Sequence, residues 1–375
     1  MSTHRIAGRL GFAGITGAVA IVVFGLLGCS SNGLGGSSGA GAAWPSPLPQ
    51  LAGFGTTTPG GAGGTSVVVS SLADSGPGTL RDALSAPANV SITFSVAGTI
   101  ALQSLLDERG KSFVTIDAMS APSPGITLTG HALSFRGSHD IKIQGIRVRD
   151  SVDNGIVVWE HSYNVVIDHC SVANSGQVPP PGAPPPGDKN LDITEDTHDV
   201  TVSWSIIGDS RSDSFARKTK AILIANFKYG PVTNVSLHNN VLANDSQRNP
   251  QVSTAGLVDI RDNVIENWAA YGIRLRGGAT GNVVGNVFKS AQHPELAVIL
   301  SSDSEGAGSG PVYIAGNNDL NGINVNGQST AGANLEAPAI PAAIGGNVGA
   351  ADFAGAGVFP RDAVDQQILS TVTLD

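Results

Sequence analysis

The chain of 375 residues is poor in charge, in aromatic rings and in cysteine. Asp, Glu, Lys and Arg make up only 14% of it, and Phe, Trp and Tyr 5%. Of its two cysteines, Cys29 lies in the N-terminal segment and Cys170 follows a strand-like run, which argues against an intramolecular disulfide. No CxxC or Cys/His spacing suggests zinc. The net charge of −9 gives no support to a nucleic-acid or acidic-lipid partner. An anionic ligand would need a local cluster of cations rather than the overall field. The apolar run from about Phe12 to Leu27 falls short of the ~20 residues that cross a bilayer.

Glycine, by contrast, is abundant, with 49 residues, and valine, isoleucine and asparagine recur at short spacing. That composition favours short strands and tight turns over helices. The basic start (Arg5, Arg9) and apolar run of residues 1–28 read as a cleaved export signal. Its ending, Leu26-Leu27-Gly28-Cys29, resembles a bacterial lipoprotein signal, which makes Cys29 the expected lipidated residue. A plain secretory signal cut elsewhere, or an uncleaved anchor, is the alternative. Residues 29–64 are rich in Gly, Ser and Pro and read as a flexible tether, leaving 65–375 as the folded domain. The protein is expected to be secreted or held at the outer cell surface by a lipid anchor on a bacterial membrane, with no other membrane contact, and to be a monomer.

From Thr65 the pattern changes to strands. Thr79 is placed to cap a short helix, with Asp82 three residues on. Strands are expected at Val90–Phe94, Gly98–Leu102, Phe113–Asp117 and Gly125–Leu128. Similar runs then begin at Ile141, Val165, Val200, Val235, Val258 and Val283, at intervals of 24, 35, 35, 23 and 25. A base period in the low twenties with two longer coils marks a solenoid, whose turns bury their apolar faces only by stacking. Asn240, Asn263 and Asn286 recur at intervals of 23, as a column of stacked amides requires. The fold class expected is all-β, a right-handed parallel β-helix with a short N-terminal capping helix. The weakly helical tail from Arg361 to Leu369 is expected to cover the last turn.

Between the repeated runs lie others that carry charge: Asn154 in the first, Asp188 and Asp192 in the second, Lys218 and Lys220 in the third, Arg248 in the fourth. Strands in a sheet lie about 4.8 Å apart, so residues on four successive rungs fall within roughly 15 Å. Carboxylates, lysines and an arginine would then converge on one face, as a site for an anionic ligand with a bridging cation. The extra residues of the long coils, the proline-rich 178–187 and the polar 209–216, would emerge beside it as loops.

The segments VVIDHCS, DKNLDIT, KTKAILI, HNNVLAN and QRNPQV, in that order, resemble the pectate lyase family, the family-one polysaccharide lyases. The opening DSGPGTLRDAL and the ending FPRDAVDQQI are similar to its flanking segments. The resemblance covers about residues 65 to 370 and implies calcium-assisted cleavage of (1→4)-linked α-galacturonan by β-elimination. It implies Ca2+ as cofactor and polygalacturonate as partner, with Asp188 and Asp192 as metal ligands. A third ligand position falls at Asn154, with Asp153 beside it, where the family has a carboxylate. Lys220 matches the family's substrate-binding lysine, with Lys218 nearby, and Arg248 its catalytic arginine. Ser253 stands where the family often has a second arginine.

Elimination next to a uronate carboxylate needs loss of the α-proton and stabilisation of the charge that develops. A cation held by carboxylate oxygens would do the second task as a Lewis acid, and Lys220 would add a point charge favouring the enolate-like transition state. Arginine is almost always protonated in proteins, so the base role of Arg248 follows from the resemblance, and a purely electrostatic role stays open. Two further readings stay open as well. A β-helical glycoside hydrolase would want clustered acids, whereas here lysine and arginine follow the acidic pair. A non-catalytic polyuronate-binding β-helix would bind without turnover. Asp168 and His169 read as structural, and Cys170 as a packed thiol.

Overall fold

A computed structural model describes residues 43–176, 189–211, 219–300, 308–322, 325, 353 and 355–372. The chain winds through three sheets in turn, of ten, nine and eight strands, and every strand pair within them is parallel. Each coil crosses the ten-stranded sheet, then the nine-stranded, then the eight-stranded. This is the expected parallel β-helix.

The sequence pattern explains the winding. Along the ten-stranded sheet Ile116, Ile143, Ile167, Val202, Leu237, Ile260, Val283 and Ile314 stand in one register column and point inward. Phe135, Val158, Ile193, Ile224, Val252 and Leu275 form the facing column on the eight-stranded sheet. All are buried, and stacking alone accomplishes it. At the corner before the ten-stranded sheet stand Asp140, Asn164, Asp199 and Asn234, with φ of 56°, 52°, 54° and 55°. Asn and Asp tolerate this left-handed region better than other side chains, which accounts for the repeated Asn/Asp-Val openings. A second corner carries the asparagine column: Asn240 Nδ2 donates to Asn263 Oδ1 (3.0 Å), Asn263 Nδ2 to Asn286 Oδ1 (2.9 Å) and Asn286 Nδ2 to Asn317 Oδ1 (3.1 Å).

Helix α1 (Leu80–Ser85) is capped by Thr79, whose hydroxyl accepts from the Asp82 N–H, while Asp82 accepts from Gly78 N rather than from the cap residue itself. Helix α2 (Ala363–Thr371) forms where the tail was expected to be helical, but it does not cover the last turn. It lies along the outer face of the nine-stranded sheet, where Ile368, Leu369 and Val372 join Ala173, Ile206, Val241, Val264 and Val287 in one buried cluster. That outer face is apolar and needs a cover. Arg149 fixes the helix there through Asp365 (2.8 Å) and Asp362 (3.1 Å).

The tether expected over 29–64 ends earlier than its composition suggests. Residues 52–61 run across the outer face of the ten-stranded sheet, where Phe54 N donates to Ser236 Oγ, Gly55 N to Thr201 Oγ1 and Gly61 N to Thr115 Oγ1. Glycine is needed for the contact: a Cβ on Gly55 would lie 2.3 Å from Val165 O, and one on Gly61 1.9 Å from Val90 O. Composition signals low apolar content, but this strap is seated by backbone contact instead. Residues 1–28 and Cys29 lie outside the described residues, as do the proline loop 178–187 and residues 212–218.

Candidate active site

The charge-bearing runs stack as expected on the eight-stranded sheet: Ile156–Trp159, Leu191–Thr194, Ile222–Ala225, Gln251–Ser253 and Ile273–Arg276 are consecutive neighbours. Backbone hydrogen bonds just before these strands align Asn154, Lys189, Lys220 and Gln247 in one column. Arg248 follows and lies beside Ala221, its carbonyl accepting from Ile222 N at 2.8 Å. Asp192 lies within its strand, between Val157 and Leu223, and the same column continues through Gln251 to Arg274. Asp192 and Lys220 are thus on adjacent rungs and Arg248 on the next, about 10 Å of sheet in all. The three share one side of the molecule. Asp192 (6% exposed) and Lys220 (7%) are sunk into it.

Arg248 is held in the left-handed region, φ 66°, a conformation that costs an arginine roughly 1–2 kcal/mol. Its Nε is buried and has no hydrogen-bond partner among the described residues. Strain together with an unmet buried donor is the pattern of a side chain aimed at a ligand.

Beneath these residues lies Asp245, which motif reading does not reveal. Its carboxylate accepts from Ser210 Oγ (2.5 Å), Ser210 N (3.0 Å) and Asn190 Nδ2 (3.1 Å), and its carbonyl from Asn249 Nδ2 (3.0 Å). Ser210 Oγ in turn accepts from Lys220 N (2.6 Å). One residue therefore braces the segments that carry Asp192, Lys220 and Arg248, its carboxylate reaching the first two and its carbonyl the third. Burial pushes its pKa up to about 7, against hydrogen bonds from Ser210 that act to lower it.

Ser253 does not leave an empty place. It faces Arg276 in register, and Arg276 Nε donates to its hydroxyl at 2.6 Å. Arg274 lies over the Tyr271 ring (5.7 Å), and the Tyr271 hydroxyl lies 2.5 Å from Gln251 Oε1 and 3.1 Å from Gln247 Oε1. The run IRLR is simply the next rung of the same array, one period on, and the period is the signal that finds it.

The residues expected to hold calcium are arranged otherwise. Asp188 lies outside the described residues, as does Lys218. Asp153 is half exposed and turns to His131 Nδ1 at 2.9 Å. The amide of Asn154 donates to Asp192 Oδ2 at 2.8 Å, and the ammonium of Lys189 lies 2.8 Å from that same oxygen. Among the described residues no group of three or more His, Cys, Asp or Glu could hold a metal ion. Calcium asks for six to eight oxygens, and here two N–H donors already converge on one of the two carboxylate oxygens of Asp192. As arranged, the described donors do not fit it.

Asp168 and His169 are structural: Asp168 accepts from Ser203 Oγ and Gln144 Nε2, and His169 bridges Asp168 and Ala356 O. Cys170 is buried, which pushes its thiol up to about 12.

Comparison with known proteins gives a family match, described as pectate lyase, over residues 52–344. A protein of Emericella nidulans named probable pectate lyase C is 32% identical over 251 residues, 65% of this chain and 53% of that one. The chain spans about half the length of the curated relatives it matches. Among solved structures, pectate lyase Bsp165PelA from Bacillus sp. N165 in complex with trigalacturonate has a TM-score of 0.56 at 19% identity, over 79% of this chain and 94% of that one. Pectate lyase C from Erwinia chrysanthemi, at pH 9.5 with 30 mM Ca2+, has a TM-score of 0.52 at 14% identity, over 79% and 92%.

Proposed function

The chain belongs to the pectate lyase family, and from that premise we propose that it cleaves polygalacturonate by β-elimination on the face that carries Asp192, Lys220 and Arg248. The observation that carries this reading is their convergence on consecutive rungs of one sheet. A uronate carboxylate lying along the rungs meets the Lys220 ammonium. That charge favours the enolate-like transition state over the ground state. Arg248, strained and with its buried Nε unmet, faces the α-carbon. As base it takes the α-proton, the C–H electron pair forms the new double bond, and the glycosidic oxygen leaves with the bonding pair. Arg276, held by Ser253, and Arg274 extend the cationic face by one rung toward the next uronate. These steps use the chain's own residues, and none is routed through calcium, the cofactor the family implies. Export through residues 1–28, with Cys29 as the lipid-bearing residue and the folded domain acting as a monomer outside the cell, belongs to the same proposal. The mass of the mature N-terminus checks it.

The test is the ultraviolet absorbance of unsaturated product released from polygalacturonate. Arg248→Ala is expected to lower kcat by about 10²- to 10⁴-fold, the range for loss of a general base. Lys220→Ala is expected to lower kcat/KM by about 10²- to 10³-fold, as for loss of a transition-state donor. Polymer binding without unsaturated product would favour the non-catalytic reading, and reducing ends without the double bond would favour a hydrolase.

A further inference from the structure

The Lys189, Asp192 and Asn154 side chains form one hydrogen-bonded cluster. The Lys189 ammonium and the Asn154 amide both meet Asp192 Oδ2 at 2.8 Å, and Asn154 Oδ1 accepts the backbone N–H of Lys189, also at 2.8 Å. The Lys189 and Asp192 side chains are 11% and 9% exposed, so neither is a solvated surface charge. Each half of the Asn154 amide has a partner, which fixes its orientation: nitrogen toward Asp192, oxygen toward Lys189 N. An aspartate there would turn an oxygen toward Asp192 and leave two carboxylates in need of a cation between them. Asparagine with Lys189 removes that need, because the lysine supplies the positive charge and the amide supplies a hydrogen.

Lys189 also precedes Asn190, whose N–H donates to Lys220 O, so the two lysines occupy adjacent rungs of one column. Like charges so placed repel unless anions lie between them. Asp192 supplies one.

We propose that the Lys189 ammonium is the built-in cation of this site, standing on Asp192 in place of a calcium ion and facing the substrate carboxylate beside Lys220. This rests on the polyuronate reading of the site. It departs from the cofactor the family implies, and it makes the free protein a poor calcium binder whatever its activity.

Calorimetric titration of Ca2+ into the full chain without substrate tests it, comparing wild type with Lys189→Gln and with the pair Asn154→Asp/Lys189→Gln. Wild type is expected to bind more weakly than about 1 mM, the weak end of oxygen-ligand sites. The double variant is expected to bind at least about tenfold more tightly, a change of about 1.4 kcal/mol. Equal affinity in wild type and double variant, tight or weak, overturns the proposal, because Lys189 would then not be what excludes the ion. Circular dichroism confirms that the variants are folded. In the elimination assay, a chelator is expected to change wild-type kcat/KM by less than about threefold, whereas Lys189→Gln is expected to lose at least tenfold and regain activity on added Ca2+. A wild type silenced by chelator and restored by Ca2+ also overturns it. If no elimination occurs under any condition, the polyuronate reading falls, while the titration still decides the role of Lys189.

Discussion

At the scale of single residues, Asp245 has the widest consequences. Its folded pKa of about 7 lies above the ordinary carboxylate value of 3.8 because burial disfavours the charge. A group raised on folding contributes stability that is complete below its unfolded pKa and is lost as pH rises through the folded value. The melting temperature of the wild type should therefore fall between about pH 4 and pH 7 from this residue. Asp245→Asn should flatten that slope, as calorimetry at pH 5 and pH 8 would measure. The same variant sets an amide N–H against Asn190 Nδ2, so its kcat should fall even where it is folded. A matching slope in variant and wild type would remove Asp245 from this account. Asp192, Lys220 and Arg248 were legible because their meeting depends only on the period of the coil. Asp245 was not, because its role arises from Ser210, 35 residues earlier, in a coil lengthened by an insertion. Nor was the pairing of Lys189 legible, since a strand pattern does not say which way a lysine just outside it turns.

At the scale of elements, the corners carry the fold. Asn263 donates to Leu237 O, Arg261 O and Asn286 Oδ1 while its own Oδ1 accepts from Asn240 N and Nδ2. Asn263→Ala would leave buried groups of two neighbouring coils unpaired, at about 1–3 kcal/mol for each lost partner. The urea midpoint should drop accordingly, with the m-value unchanged. The column could be read from the sequence for three members because 23 residues separate each from the next. Asn317 escaped because its interval is 31. Asp140, Asn164, Asp199 and Asn234 share a left-handed place that favours Asn and Asp, and Phe113 holds the same place one coil earlier at φ 56°.

At the scale of the whole molecule, the two ends of the domain meet on its flank. Trp44 meets His169 edge-to-face (5.6 Å) and Phe359 at a tilt (5.5 Å), and the Arg361 guanidinium lies over its ring (5.1 Å). Asp365, fully buried, accepts from Arg149 and from Ser171 Oγ. Breaking such a pair on one side leaves a buried charge and costs about 3–5 kcal/mol. Asp365→Ala should therefore loosen α2, and limited proteolysis should cut near residue 361 in the variant before it cuts any strand. An unchanged cleavage pattern would show that the apolar contacts of Ile368 and Leu369 suffice. The position of α2 was not legible because sequence pattern shows that a helix forms, whereas its seat depends on an apolar outer face assembled from five coils.

The glycine strap sets an order of events. Gly61 can settle on Thr115 early, but Phe54 docks on Ser236, 182 residues downstream, so in a chain emerging from its amino end the first part of the strap has nowhere to settle until the later windings exist. Its closure is then a late step, and it would register completion of the middle of the coil rather than begin it.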